Sequence, residues 1–145
     1  MSKMGIVGII YNKTIWVAIL SWAIAQILKI ILTFFQQDKL DLSRIYGSGG
    51  MPSSHTSLVM ALSFSLGKTY GFDSAYFAIA IVLAMVVMYD AAGVRRAAGK
   101  QAELLNFLLH HHETAPKEQL KELLGHTPIE VIAGAVLGIA VGLLC

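Results

Sequence analysis

The sequence predicts an all-α integral membrane helical bundle, about four transmembrane helices plus interfacial helices, and three observations predict it. Of its 145 residues 56% are hydrophobic and only 14% charged, where a soluble domain carries about a quarter charged residues. Mean hydropathy is +0.66. The apolar residues fall into runs of roughly span length separated by polar segments. At about 20 residues per crossing, the chain has room for four or five crossings in a single membrane domain over residues 1–145.

The elements follow in order. Met1–Asn12 is short, apolar and Gly-containing, and it leads into a second apolar run without a small-residue cleavage pattern. It reads as an interfacial lead-in and not as a cleaved signal peptide. Ile15–Phe35 forms the first span, in which Trp22, Gln26, Lys29 and Thr33 recur at helical spacing and define one polar face. A lysine deep in a span costs on the order of 2.5–3.5 kcal/mol on insertion scales, so this face is expected to turn inward. Snorkelling from near the span's end is the other way to accommodate it.

Gln36–Met51 is a polar, Gly-rich loop, and a short span follows from His55 to Tyr70. The third span, Ser74 to Tyr89, is rich in Ala, Val and Met and ends abruptly in Asp90-Ala91-Ala92-Gly93-Val94-Arg95-Arg96. Gln101–Leu124 alternates Leu pairs with charge, the pattern of helices lying on a membrane surface, with Pro116 dividing it. Within it Leu104, Leu105, Leu108 and Leu109 form a stripe that rests on the bilayer or on the bundle, and His110, His111 and His112 form a solvated patch. The last span, Pro128–Cys145, carries glycine at every fourth position, Gly134, Gly138 and Gly142. That spacing lets another helix approach closely, either within the chain or in a homodimer.

A formal charge of +2, with no basic segment interleaved with aromatics, excludes a nucleic-acid-binding module. The single cysteine is the last residue, Cys145, so no internal disulfide forms. With four spans, one side of the membrane holds Lys39, Arg44, Arg95, Arg96, Lys100, Lys117 and Lys121, and the other Lys3, Lys13 and Lys68. The positive-inside rule places the richer side in the cytoplasm.

Two segments on that side carry chemistry. In Gly49-Gly50-Met51-Pro52-Ser53-Ser54-His55-Thr56, glycine permits close backbone approach, and serine after proline caps the helix that follows. The helix start then offers unpaired N–H groups and the positive end of its dipole to an anion, with His55 in its first turn. An ordinary capped helix with a solvent-facing histidine fits the same residues. In Gly125-His126-Thr127-Pro128-Ile129-Glu130, His126 and Glu130 are four apart, so a carboxylate can orient an imidazole for nucleophilic attack. Thr127, Pro128 and Glu130 equally spell a capping box. Asp90, Arg95 and Arg96 lie just past a span, where arginines either anchor to head groups or bind phosphate bidentately. Lys29, Arg44, Arg95 and Arg96 around two histidines describe a phosphate pocket.

Pro52-Ser53-Ser54-His55 and His126-x3-Glu130 resemble the second and third motifs of the type 2 phosphatidic acid phosphatase and vanadium-dependent haloperoxidase superfamily. Together with Met88–Arg96 and Leu124–Val131 they are similar to its divergent, small, acid-phosphatase-related membrane proteins, and the likeness covers nearly the whole chain. The resemblance implies a phosphohistidine mechanism without metal or cofactor, acting on a lipid phosphate or diphosphate in a bacterial cell membrane. It implies that His126 is the nucleophile, His55 the general acid and Glu130 the orienting carboxylate. Lys29, Arg44 and Arg95 or Arg96 would neutralise phosphoryl oxygens beside Gly50, Ser53 and Ser54, with Asp90 in support. The pattern departs from the superfamily's at three places: Lys29 and Arg44 are fifteen apart without Arg-Pro, Ser54 replaces a glycine, and Leu120 stands where an arginine precedes the nucleophile by six.

Two other readings compete. A non-catalytic protein that binds or translocates a phosphorylated lipid would use the same pocket. Asp90-x2-Gly93-x-Arg95 with Gly99-x3-Glu103 faintly echoes metal-dependent CDP-alcohol phosphotransferases, but lacks the later aspartates that hold two divalent ions.

Overall fold

A computed structural model describes residues 6–37, 50–109, 120 and 124–145. Six helices occur in order: α1 (Ile6–Ile10), α2 (Lys13–Gln37), α3 (Ser54–Tyr70), α4 (Ala75–Ala92), α5 (Val94–Leu109) and α6 (Pro128–Leu144). The described residues contain no strand, and the protein is an all-α membrane bundle.

Two helical stretches, Lys13–Phe35 and the α4–α5 run Ala75–Leu109, are long and apolar enough to cross a membrane. α6 is apolar but has 17 residues, as does α3. Seventeen residues make about 26 Å of helix, the lower end of the length that crosses a hydrocarbon core of roughly 30 Å.

The length and polarity of α3 make sense from its position. It packs against α2, α4 and α6, so its serines face protein and not lipid. Ser21 of α2 and Ser57 of α3 are both buried, their hydroxyls 2.6 Å apart. Each also donates to the other's backbone carbonyl, at 3.2 and 3.3 Å. Ser63 and Thr69 donate to carbonyls one turn back, Val59 and Ser65.

The register fixes the directions. Val17 packs with Ala61 and Val141, and Ser21 pairs with Ser57, so α2 runs antiparallel to α3. Phe77 meets Phe64 and Ala84 meets Met60, so α4 does too. α6 runs parallel to α3, because a Cβ on Gly134, Gly138 or Gly142 would collide with the carbonyls of Ser53, Ser57 and Ala61 respectively. The glycine stripe thus packs α6 on α3 within one chain. That face of α6 is occupied by α3.

The polar face of α2 is corrected in one member. Ser21, Ala25, Lys29 and Thr33, strictly four apart, are buried, whereas Trp22 is 38% exposed and faces outward. Lys29, only 2% exposed, points into the bundle as the inward reading requires.

α5 begins at Val94, earlier than the expected Gln101. Gly99, Ala102 and Asn106 are its buried face, while Leu104, Leu105 and Leu108 are exposed and Leu109 is half-buried. The Asn106 side chain clamps Leu120: Nδ2 donates to its carbonyl at 2.8 Å, and its amide donates to Oδ1 at 2.9 Å. Arg44, His110, His111, His112 and Pro116 lie outside the described residues.

Candidate active site

The C-terminal ends of α2 and α4 and the N-terminal ends of α3 and α6 meet on one side of the bundle. There α3 starts at Ser53, its cap, whose Oγ accepts from the Thr56 amide at 3.4 Å and from its hydroxyl at 3.0 Å. Gly50, at φ +97, supplies the left-handed turn before Pro52. Ser53 and Ser54 are buried, and the amide of Ser53 donates to the carbonyl of Glu130 at 3.0 Å. This bond joins the two motifs.

α6 starts with the capping box expected from its sequence. Thr127 Oγ1 accepts from the Glu130 amide at 3.4 Å, and Glu130 Oε2 accepts from the Thr127 amide at 3.0 Å. Glu130 Oε2 also lies 3.1 Å from Nδ1 of His126. The two readings of Glu130, cap and orienter, are both realised, and by one oxygen. The preceding turn is held against the α4–α5 corner. Gly125, at φ +84, lies so close to the backbone of Arg95 and Arg96 that no Cβ fits, and the His126 amide donates to the Ala91 carbonyl at 2.9 Å.

Held at its amide and at Nδ1, His126 is 3% exposed, and its Nε2 is buried with no hydrogen-bond partner among the described residues. Such orphaned buried atoms are rare in folded proteins and call for an explanation. With Nδ1–H directed at Glu130, the assigned tautomer leaves the lone pair on Nε2. Burial holds the imidazole's pKa below its ordinary value. The hydrogen bond and charge of Glu130 act in the opposite direction, while Lys29 and His55 add to the lowering. The neutral, nucleophilic form is therefore the favoured one.

His126 lines a cavity of about 300 Å³ together with His55, Asp90 and Arg95. The rest of its wall is Leu58 and Val59 of α3 and Val86, Val87 and Ala91 of α4. Arg95 Nε donates to Asp90 Oδ2 at 2.5 Å. Arg95 shares the cavity wall with both histidines, and the buried Lys29 of α2 acts electrostatically on both. Of the site residues named from the sequence, His55, Asp90, Arg95 and His126 share the cavity wall, and Glu130 and Lys29 support it. Gly50, Ser53 and Ser54 shape the α3 start behind it, and Arg96 is exposed at the Gly125 contact. The sequence reading missed the apolar wall, although Leu58 and Val59 stand three and four residues after His55, and Val86 and Val87 four and three before Asp90. It also missed Asn106, which no motif marks.

Fold and site define a class: an all-α membrane protein in which two histidines and an arginine line one cavity where its helices meet. Comparison with known proteins places it further. The model of the Divergent PAP2 family matches residues 10–141, and the chain belongs to that family. It is 43% identical over 129 residues to the uncharacterized membrane protein YuiD of Bacillus subtilis (strain 168), covering 79% of this chain and 82% of that one. No solved structure matches.

Proposed function

We propose that the protein is a lipid phosphate phosphatase that hydrolyses a phosphomonoester or diphosphate through a phosphohistidine at His126. The observation that carries this reading is the buried imidazole with Nδ1 on Glu130 and Nε2 without a partner, lining a cavity with His55 and Arg95. The Nε2 lone pair attacks phosphorus and forms the N–P bond as the bond to the leaving oxygen breaks. His55 gives that oxygen its proton; a bound phosphoryl dianion favours the imidazolium needed for this step. His55 then takes a proton from water, which attacks phosphorus, breaks the N–P bond and releases phosphate. Lys29, Arg95 and the N-terminus of α3 face the charge that develops on the equatorial oxygens.

Binding without turnover is the second reading, favoured by one observation: the Arg95 guanidinium is engaged by Asp90. The metal-dependent reading lacks support, since the described residues contain no group of three metal-ligating side chains and Asp90 is paired with Arg95. The site face belongs, in this proposal, on the cytoplasmic side of the bacterial cell membrane. The deciding experiment is phosphate release by detergent-solubilised protein, with chelator present, from phosphatidate, phosphatidylglycerol phosphate and polyprenyl phosphates. Release abolished in His126→Ala supports the phosphatase. Lipid binding without release from any of them overturns it in favour of a binding protein.

A further inference from the structure

We infer that the phosphate this site takes is carried directly on a hydrocarbon chain, as an alkyl or prenyl phosphate, and not on a diacylglycerol. The inference rests on the reading that the phosphoryl group sits at His126 and His55, and it concerns what the next few atoms of the ligand meet. On α3 the residues one turn deeper than His55 are Leu58 and Val59, and on α4 those one turn deeper than Asp90 and Ala91 are Val87 and Val86, all four on the cavity wall. One turn is about 5–6 Å. Over that depth the wall carries no side-chain donor or acceptor. Asp90 and Arg95 stand at the histidine level and are bonded to each other.

A diacylglycerol phosphate puts its first ester about five bonds from phosphorus, at this apolar level. Its carbonyl oxygens would lose their water and find no donor, an unfavourable exchange. A chain of methylenes or isoprene units at the same depth gains by contact with Leu58, Val59, Val86 and Val87. The cavity, about 300 Å³, is at the small end for ligand sites and suits one chain better than two. That chain has a way out: Val86 is 60% exposed, on the same outward face as Ile79 and Val82, so a chain passing it enters the bilayer.

The test measures binding and turnover separately. Farnesyl phosphate, hexadecyl phosphate and dipalmitoyl phosphatidate compete for the His126→Gln protein in micelles, and phosphate release from each is followed with the wild type. At least tenfold tighter binding of the two single-chain phosphates is expected, with Val87→Asn removing most of that preference; Val86→Asn, at the exposed edge, serves if the Val87 variant does not fold. Phosphatidate binding equally or more tightly, or a preference untouched by either variant, overturns the inference. Preferential binding of the single-chain phosphates without release by wild type sinks the phosphatase reading and leaves this one standing. Equal turnover of all three does the reverse, and binding of none of them overturns both.

Discussion

The amide of Ser53 donates to the carbonyl of Glu130 at 3.0 Å, and this one backbone bond locks together the two helix starts that carry the histidines. Behind it Gly134 lies against the carbonyl of Ser53, so α6 cannot slide along α3 without losing both contacts. The relative placement of the two backbone segments that carry His55 and His126 is thus set by main-chain packing. Preorganised geometry of this kind is what phosphoryl transfer by positioned charge requires.

On the proposed mechanism, His126→Gln is expected to reduce phosphate release to background, since it removes the nitrogen assigned to attack while keeping a polar side chain of similar reach. Glu130→Gln preserves an N3 capping residue but removes the carboxylate that fixes the imidazole. A loss of about 100-fold or more in kcat is expected, by analogy with other orienting carboxylates, with little change in melting temperature. Steady-state kinetics and thermal unfolding of both variants check this.

The pH dependence of stability has a definite sign. An unfolded chain protonates histidine at about pH 6.5, whereas buried His126 binds its proton only at lower pH. Between those values the unfolded state holds more protons, so stability falls as pH falls through the window just below about 6.5 and is unaffected by this residue above it. Melting temperatures in detergent from pH 7.5 to 5 are expected to slope more steeply for wild type than for His126→Gln in that window.

If His126 is the nucleophile as proposed, Asn106 should act on turnover through Leu120, whose backbone it holds by two bonds six residues before His126. Asn106→Ala is expected to lower kcat by about tenfold or more, because sub-ångström misplacement of a reacting group is costly, with KM near the wild-type value. Equal changes in both constants, or none, would show that the clamp is not coupled to His126.

Gly138→Leu is expected to destabilise the fold by about 3 kcal/mol or more, since its side chain would meet the backbone of α3. Ala140→Leu, on an exposed position of the same helix, should be nearly neutral. Thermal unfolding and size-exclusion light scattering distinguish this from an effect on oligomer size.

Cys145 follows the C-terminal end of α6, opposite the end that carries His126, and it is exposed. As the only cysteine, it reports sidedness without engineering. If the site faces the cytoplasm, a membrane-impermeant maleimide labels it in intact cells from which any outer barrier has been removed. Labelling only after permeabilisation would place the histidines on the outer face.

Apolar run length and helix-stop chemistry are local properties, so the helices, the caps at Ser53 and Thr127, the glycine stripe and the membrane class were legible in the sequence alone. The two histidine motifs were legible for the same reason, each being a contiguous segment. What tertiary structure decided are the relationships between segments. Periodicity admitted Trp22 to the inward face of α2, and only packing against α3 showed that the four-residue row from Ser21 to Thr33 is the buried one. Spacing offered Glu130 as cap or orienter, and only the positions of Thr127 N and His126 Nδ1 around Oε2 showed one oxygen serving both. The glycine stripe permitted a partner helix of either origin, and the carbonyls of Ser53, Ser57 and Ala61 settled that the partner is α3. The hydrocarbon wall beneath the histidines, and the Asn106 clamp on Leu120, join residues from different elements whose nearness depends on how helices pack, which no local pattern encodes.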